Sequence, residues 1–283
     1  MSSRTITLNP DWLRNALEAE LPGNTAHVRM SGRAPQTMQI PDGAAEAAVM
    51  IAFMAPASVE ELYQRRPDPS VILPESPDQI IPRQNNAINS RADHSGQISS
   101  HPVEADQDLR QLTNADRRPM STDTLHNPVY DAGLFPLILR PGNQGPHSGQ
   151  IALPGGKREP DESLTETAIR ETEEEIGLDG REIQVLGKLT PLYIPVSGFA
   201  VHPFVGWFSG KPDFKRDPLE VDEILFYDLQ RLSSPEFRTV YDFRYNGQEF
   251  QSPGFRLSER IIWGATAMIL MELTEHLQSI ASR

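Results

Sequence analysis

The chain has no cysteine among its 283 residues. That excludes disulfides, thiol nucleophiles and thiolate metal sites, and it fits a reducing cytoplasm, the location we expect. Nor is there an apolar run near the roughly 18 residues that a membrane-crossing helix needs. The N-terminus, MSSRTITLNPDWLRNALEAEL, has neither an apolar core nor a small-residue cleavage site, so it does not read as a secretion signal. Basic residues are scarce: 26 Lys and Arg stand against 39 Asp and Glu, a net charge of -13. Sequence-independent binding of long nucleic acid relies on a basic footprint, which is missing. An acidic protein that handles a polyanion needs metal ions or a few local arginines to offset the repulsion. The expected partner is a small molecule rather than nucleic acid or a membrane. The oligomeric state is not legible.

What is present falls into three stretches. Residues 1–57 hold a helix start at Asn9-Pro10-Asp11, with Trp12, Leu13, Leu17 and Leu21 at near-helical spacing and a stop at LPGN. They end in AAEAAVMIAFMAP (Ala44 to Pro56), a short apolar run that fits either a buried strand or a brief helix. Residues 58–130 are rich in Pro, Ser, Asn, Asp and Gln, with few aromatics and no sustained period. Such a composition does not bury enough apolar surface to offset its ordering entropy. We expect a flexible insertion there, in which SVIL and QIIP could dock locally. Residues 131–283 carry strand candidates at Gly133 to Pro141, Glu182 to Leu189, Phe199 to Phe208 and Asp222 to Leu229. A long helix with Ser258 as its cap is expected to close the chain. Strands mixed with two clear helices predict an α/β (α+β) domain.

The densest chemistry lies in IALPGGKREPDESLTETAIRETEEEIGLDG (Ile151 to Gly180). Ser163 followed by Glu166 is a capping-box pattern, and Gly177 suits a left-handed C-terminal cap, which predicts a helix over about Leu164 to Ile176. At about 100° per residue, with Glu171 at zero, Glu174 falls near about -60° and Glu175 near about +40°, so three carboxylates share one face. Ile169 and Ile176 point the opposite way, toward an expected core, and Glu166 and Glu173 fall among solvated positions. Like charges at this spacing cost an isolated helix roughly 0.2–0.5 kcal/mol per pair. The dipole of the helix's C-terminal half adds to that cost, and Arg170 is the nearby compensation. A hard divalent cation, Mg²⁺ or Mn²⁺, resolves the conflict because it takes carboxylate oxygens and keeps waters for substrate phosphates. The other reading is a plain solvated acidic face.

Gly156, five residues, Glu162, seven residues, Arg170-Glu171, then Glu174-Glu175, one residue, Gly177 and Leu178 resembles the Nudix box of the Nudix hydrolases. Thr172 stands where that pattern has an aliphatic residue. The resemblance implies an α/β/α sandwich with a mixed sheet, a catalytic loop–helix over 155–178, and metal-dependent hydrolysis of a nucleoside diphosphate linked to another moiety. It implies metal ligation by Glu171 and Glu175, with Glu174 as a further ligand or water-activating group and Arg170 as the residue that orients the glutamates. Gly156 would offer its backbone carbonyl to the cation. Glu162 would support the loop or a second metal, or would simply be a first-turn glutamate favoured by the helix dipole.

Upstream, LILRPGNQGPHSGQIALPGG (Leu137 to Gly156) is similar to the extended motif of the coenzyme A pyrophosphatase subgroup, through Arg140, His147, Gly149, Gln150, Ala152, Pro154, Gly155 and Gly156. Pro141, Gly145 and Leu153 depart from it, and Gly145 replaces an arginine. Downstream, LTPLYIPVSGFAVHPFVG and ERIIWGATAMIL resemble further stretches of that subgroup. The implied substrate contacts are Arg140, His147, Gln150 and Ser197, with the weight on Arg140 as the reader of the 3′-phosphate of coenzyme A and the diphosphate as its alternative. His202, Trp263 and Met268 are expected to be structural. The implied activity is cleavage of coenzyme A or acyl-CoA to 3′,5′-ADP and 4′-phosphopantetheine. The alternatives are a Nudix enzyme acting on ADP-ribose or a related derivative, and a Nudix-fold binding module without turnover.

Overall fold

A computed structural model of the chain describes residues 5–31, 39–64, 69–73, 129–130, 133–142, 147–245 and 248–283. The N-terminal part runs β1 (Thr5–Ile6), α1 (Pro10–Leu17), α2 (Asn24–Ser31), β2 (Ala45–Met54), α3 (Pro56–Gln64), β3 (Val71–Ile72) and β4 (Val129–Tyr130). The middle runs β5 (Leu134–Leu139), β6 (Ile151–Ala152), β7 (Gly155–Lys157), α4 (Leu164–Ile176), β8 (Ile183–Lys188), β9 (Leu192–Ile194) and β10 (Phe199–Phe208). The C-terminal part runs β11 (Glu223–Asp228), α5 (Leu229–Ser233), β12 (Arg238–Tyr245), β13 (Gln248–Leu257), β14 (Arg260–Trp263) and α6 (Gly264–Ala281).

The apolar run at Ala44 to Pro56 resolves as a strand because both of its faces are buried, which removes the alternation that would have marked it. Ala48, Met50, Ala52 and Met54 face a core formed with Ala168 and Ile176 of α4. Ala47, Ile51 and Phe53 face a second core formed with α1, α2 and α6. A sheet of order β7-β2-β10-β8, with β9 on β10, lies beside a sheet of order β3-β11-β5-β6. Strand β2 runs parallel to β10 and antiparallel to β7. Sheets of both pair types between helices on either side make the α/β/α sandwich of the expected class.

Four expectations need correction. Helix α1 stops at Leu17, short of the LPGN stop, and α2 begins at Asn24. Packing does not end at residue 57 either. Helix α3 buries Leu62, and Val71 pairs with Ile224 in the sheet, as the SVIL segment allowed. Residues 74–128, the rest of the expected insertion, lie outside the described residues. The closing helix begins at Gly264, not near Ser258. Leu257 pairs with Arg260, so Ser258 and Glu259 make a two-residue hairpin turn, with Ser258 at φ 52°. Finally, β12 and β13 are not among the expected strands, although their last pair, Tyr245 and Gln248, brackets Asn246-Gly247, a strong hairpin signal.

Candidate metal centre and active site

The glutamate helix forms where expected. Ser163 Oγ accepts from the Glu166 amide at 3.2 Å while Glu166 Oε2 accepts from the Ser163 amide at 2.8 Å. Gly177 closes the other end at φ 75°. The buried face is wider than expected, however. Ile176 is buried and Ile169 is partly buried against the same core, as expected, but Thr167, Ala168, Thr172 and Glu175 are buried as well. The core therefore reaches Glu175 as well as the side opposite Glu171. Thr172, the residue that departs from the aliphatic pattern, is buried and donates to Ala168 O at 2.7 Å.

The glycine turn locks onto the same helix. Gly155 pairs with Val49 and Gly156 with Ala48, while Met50 N donates to Pro154 O at 2.9 Å. At Gly155, φ is 151° and a Cβ would strike the Ala48 carbonyl, so glycine alone fits. A Cβ on Gly156 would collide with the Glu171 carboxylate. The turn backbone is thereby pressed against one carboxylate and bonded to the next, since Gly155 N donates to Glu175 Oε2 at 2.8 Å.

Arg170 gathers the remaining acids. Its Nε donates to Glu162 Oε1 at 2.8 Å, and its Nη1 donates to Glu171 Oε1 and Glu174 Oε2, each at 2.9 Å. Glu162 also accepts from Thr167 Oγ1 at 2.8 Å, and the Arg170 guanidinium holds its pKa down to about 2. Glu162 is thus a brace for Arg170. Glu174 is more than half exposed and turned to Arg170, outside the inner cluster. Burial pushes the Glu171 carboxyl up.

That cluster is Glu171, Glu175 and Glu220, with one oxygen from each within 4.8 Å of the others. Glu175 is 1% exposed, and burial raises its pKa to about 8. Its Oε1 is buried without a hydrogen-bond partner, and Arg140 Nη1 stands 3.8 Å away. A buried, orphaned carboxylate oxygen flanked by two further carboxylates is a donor set suited to a hard divalent cation. Glu220 has no motif to announce it. It is delivered by a strap that seals the end of α4: Lys215 N donates to Ile176 O and Asp217 N to Glu175 O, each at 3.0 Å. Asp217 then turns the chain by accepting from Leu219 N at 2.8 Å. The sequence signal that remained was Arg216-Asp217-Pro218, a turn-forming stretch ahead of an acid.

The upstream motif residues meet the same end of the sheet. Arg140 N donates to Gln150 O at 3.0 Å, and His147 Nδ1 lies 3.2 Å from Gln150 Oε1. With the amide oxygen facing the ring, Nδ1 is the donor. Burial pushes the His147 pKa down. Pro141 and Leu153 are buried, and Gly145 lies outside the described residues. Ser197 sits apart: its hydroxyl faces Ile194 O at 3.5 Å in the β9–β10 turn, and no described contact joins it to the carboxylates. Arg158 is tied to Glu46 and to Glu162 O, which makes it a brace of the loop. Among the described residues no helix is long and apolar enough to cross a membrane.

The NUDIX domain profile matches residues 129–244. A protein of Photorhabdus laumondii described as an uncharacterized Nudix hydrolase NudL is 32% identical over 163 residues, covering 54% of this chain and 87% of its own. Its namesake in Yersinia enterocolitica is 35% identical over 163 residues, covering 53% of this chain and 82% of its own. A crystal structure of a Nudix hydrolase from M. smegmatis overlaps 53% of this chain at 14% identity, with a TM-score of 0.34, covering 80% of that protein. The sequence relatives, not that overlay, carry the assignment: the chain belongs to the Nudix hydrolases, enzymes that act on diphosphate bonds.

Proposed function

We propose that the protein is a divalent-metal-dependent diphosphatase of coenzyme A or acyl-CoA, yielding 3′,5′-ADP and 4′-phosphopantetheine or its acyl form. The observation that carries this reading is the 3.8 Å approach of Arg140, from the stretch similar to the coenzyme A motif, to Glu175 of the Nudix box. Two motifs that resemble one subgroup thereby share one site, to which His147 and Gln150 are tied by hydrogen bonds.

Glu171, Glu175 and Glu220 would hold Mg²⁺ or Mn²⁺, with the Gly156 backbone against the first of them. Such an ion supplies charge neutralisation of the diphosphate and activation of water for attack on phosphorus. The chain's own groups do the rest. Arg170 fixes the rotamers of Glu171 and Glu174, so the acid face is set before substrate arrives. Glu174, the most exposed of the box glutamates around Arg170, is placed to accept a proton from water. Arg140 meets developing negative charge on the phosphates with a planar guanidinium. His147 donates from Nδ1 to Gln150 and holds that amide in place.

A second reading, hydrolysis of ADP-ribose or another nucleoside diphosphate derivative, is favoured by Gly145, which removes a guanidinium expected for coenzyme A. Assay of the purified protein with Mg²⁺ or Mn²⁺ against coenzyme A, ADP-ribose and NADH separates the two. Highest kcat/KM on coenzyme A supports the proposal. Preference for ADP-ribose installs the second reading, and turnover of none of the three overturns both.

A further inference from the structure

Trp263 ends β14 and is half-buried, outside the core. In the sheet of order β12-β13-β14 it pairs with Gly254, and Gly254 pairs with Thr239. Tyr241 pairs with Ser252, two residues from Gly254, so Tyr241 and Trp263 share one face of this sheet. Their rings stack with centroids 5.0 Å apart at 27°. Ser252 and Gly254 stand beside them on β13, with Phe250 and Arg256 next along the same face, and both aromatic residues of the stack are half-buried.

The face they occupy is set by the neighbouring residues. Ile262, Phe255 and Leu257 join the core under α6, together with Leu137 and Ile151 of the adjoining sheet. Ile138, Ala152 and Ile224, the alternate residues of that sheet, join the core under α4. Strand β14 packs beside β6. Trp263 follows Ile262 and points the other way, to the face opposite the core under α6. Ala152 is three residues from Gly155, which holds Glu175, so at most roughly 11 Å of chain separates β6 from the turn at the carboxylates. Arg260 fastens this arrangement by a two-pronged pair with Glu223, at 2.6 and 2.8 Å.

We propose that the Tyr241–Trp263 pair is the platform on which the nucleobase of the substrate stacks while its diphosphate lies at Glu171 and Glu175. This rests on the reading of the substrate as a nucleoside diphosphate derivative. The physical case is that a protein of net charge -13 cannot hold the base end of a nucleotide through its overall field. A flat aromatic surface holds any base by its π-face without needing charge.

The test is binding of AMP and of ribose 5-phosphate to the full chain with Mg²⁺ present, followed by calorimetry and by tryptophan emission. Wild type is expected to bind AMP at least about tenfold more tightly than ribose 5-phosphate, with quenching of its emission. Trp263→Leu and Tyr241→Leu are each expected to weaken AMP by about tenfold, the loss typical of a base–aromatic stack, and to leave ribose 5-phosphate unchanged. Their KM for coenzyme A should rise by a similar factor. Trp263→Phe, which keeps a ring and guards against misfolding of the leucine variant, should retain most of the AMP affinity. Equal affinity for AMP in wild type and Trp263→Leu would overturn the platform, as would a wild type that cannot tell AMP from ribose 5-phosphate. A wild type that binds AMP through Trp263 yet cleaves no diphosphate substrate would instead sink the proposed activity and leave the platform standing.

Discussion

Arg140 Nη1 stands 3.8 Å from Oε1 of Glu175, the one carboxylate oxygen at the site that is buried without a hydrogen bond. The relation bears on which of the two expected phosphates Arg140 meets. An arginine that reads the ribose 3′-phosphate should lie away from the reacting phosphorus, whereas this one points at the centre of the acid cluster.

Arg140→Ala is therefore expected to lower kcat/KM on coenzyme A and on dephospho-CoA alike. The loss should be about 1.5–3 kcal/mol, the range for a hydrogen bond to a charged group. Steady-state kinetics on the two substrates checks it; a loss confined to coenzyme A would return Arg140 to the 3′-phosphate.

Glu171→Gln and Glu175→Gln should each reduce turnover by at least about a hundredfold without unfolding the protein, since charge stabilisation worth several kcal/mol is removed. Glu220→Gln should weaken Mn²⁺ binding, read by calorimetry, by about ten- to a hundredfold. Glu173, exposed on the far side of α4, should be nearly silent when changed to Gln. Equal losses at Glu171 and Glu173 would mean that the helix is rolled wrongly.

Without metal, stability should fall with rising pH. Burial raises the Glu175 pKa to about 8, while an unfolded glutamate titrates near about 4.3. Between those values the unfolded chain is the less protonated state, so each pH unit costs up to about 1.4 kcal/mol, and the fall levels off above 8. Melting in chelator from pH 5 to pH 9 should show this slope, and Glu175→Gln should flatten it. Added Mn²⁺ should raise the melting temperature most at the alkaline end, where the carboxylate is charged and ready to bind.

Residues 74–126 should be replaceable by a short Gly/Ser linker with activity kept, because their composition supports no core. The cut cannot start earlier at the same cost: Val71 is buried and paired with Ile224. Extending the replacement back to residue 66 should lower the melting temperature, as scanning calorimetry would show.

The loop–helix was legible because its determinants are local. A cap at Ser163, a glycine at 177 and spacing along one helix need no knowledge of the rest of the chain. The full width of the α4 face that meets the core was not legible. The angles place Ile169 and Ile176 opposite Glu171, and both do meet the core, but the sandwich also covers Ala168 and Thr172 and buries Glu175 with them. Glu220 was invisible for a related reason. Its place depends on backbone bonds from the strap to the end of α4, contacts between segments some forty residues apart in the chain. The β12–β13 hairpin, by contrast, carries a local signal in the alternation around Asn246-Gly247.

Glu175 is also a mechanical node. Its side chain receives the amide of Gly155 from the glycine turn, and its backbone carbonyl receives the amide of Asp217 from the strap. Loosening this one residue releases both segments, which share no described hydrogen bond with each other. The Gly155 and Asp217 amides should therefore exchange with deuterium as a pair, and filling the site should slow both together. An ion that binds three carboxylates would in this way set the breathing of the whole rim through which substrate enters and products leave.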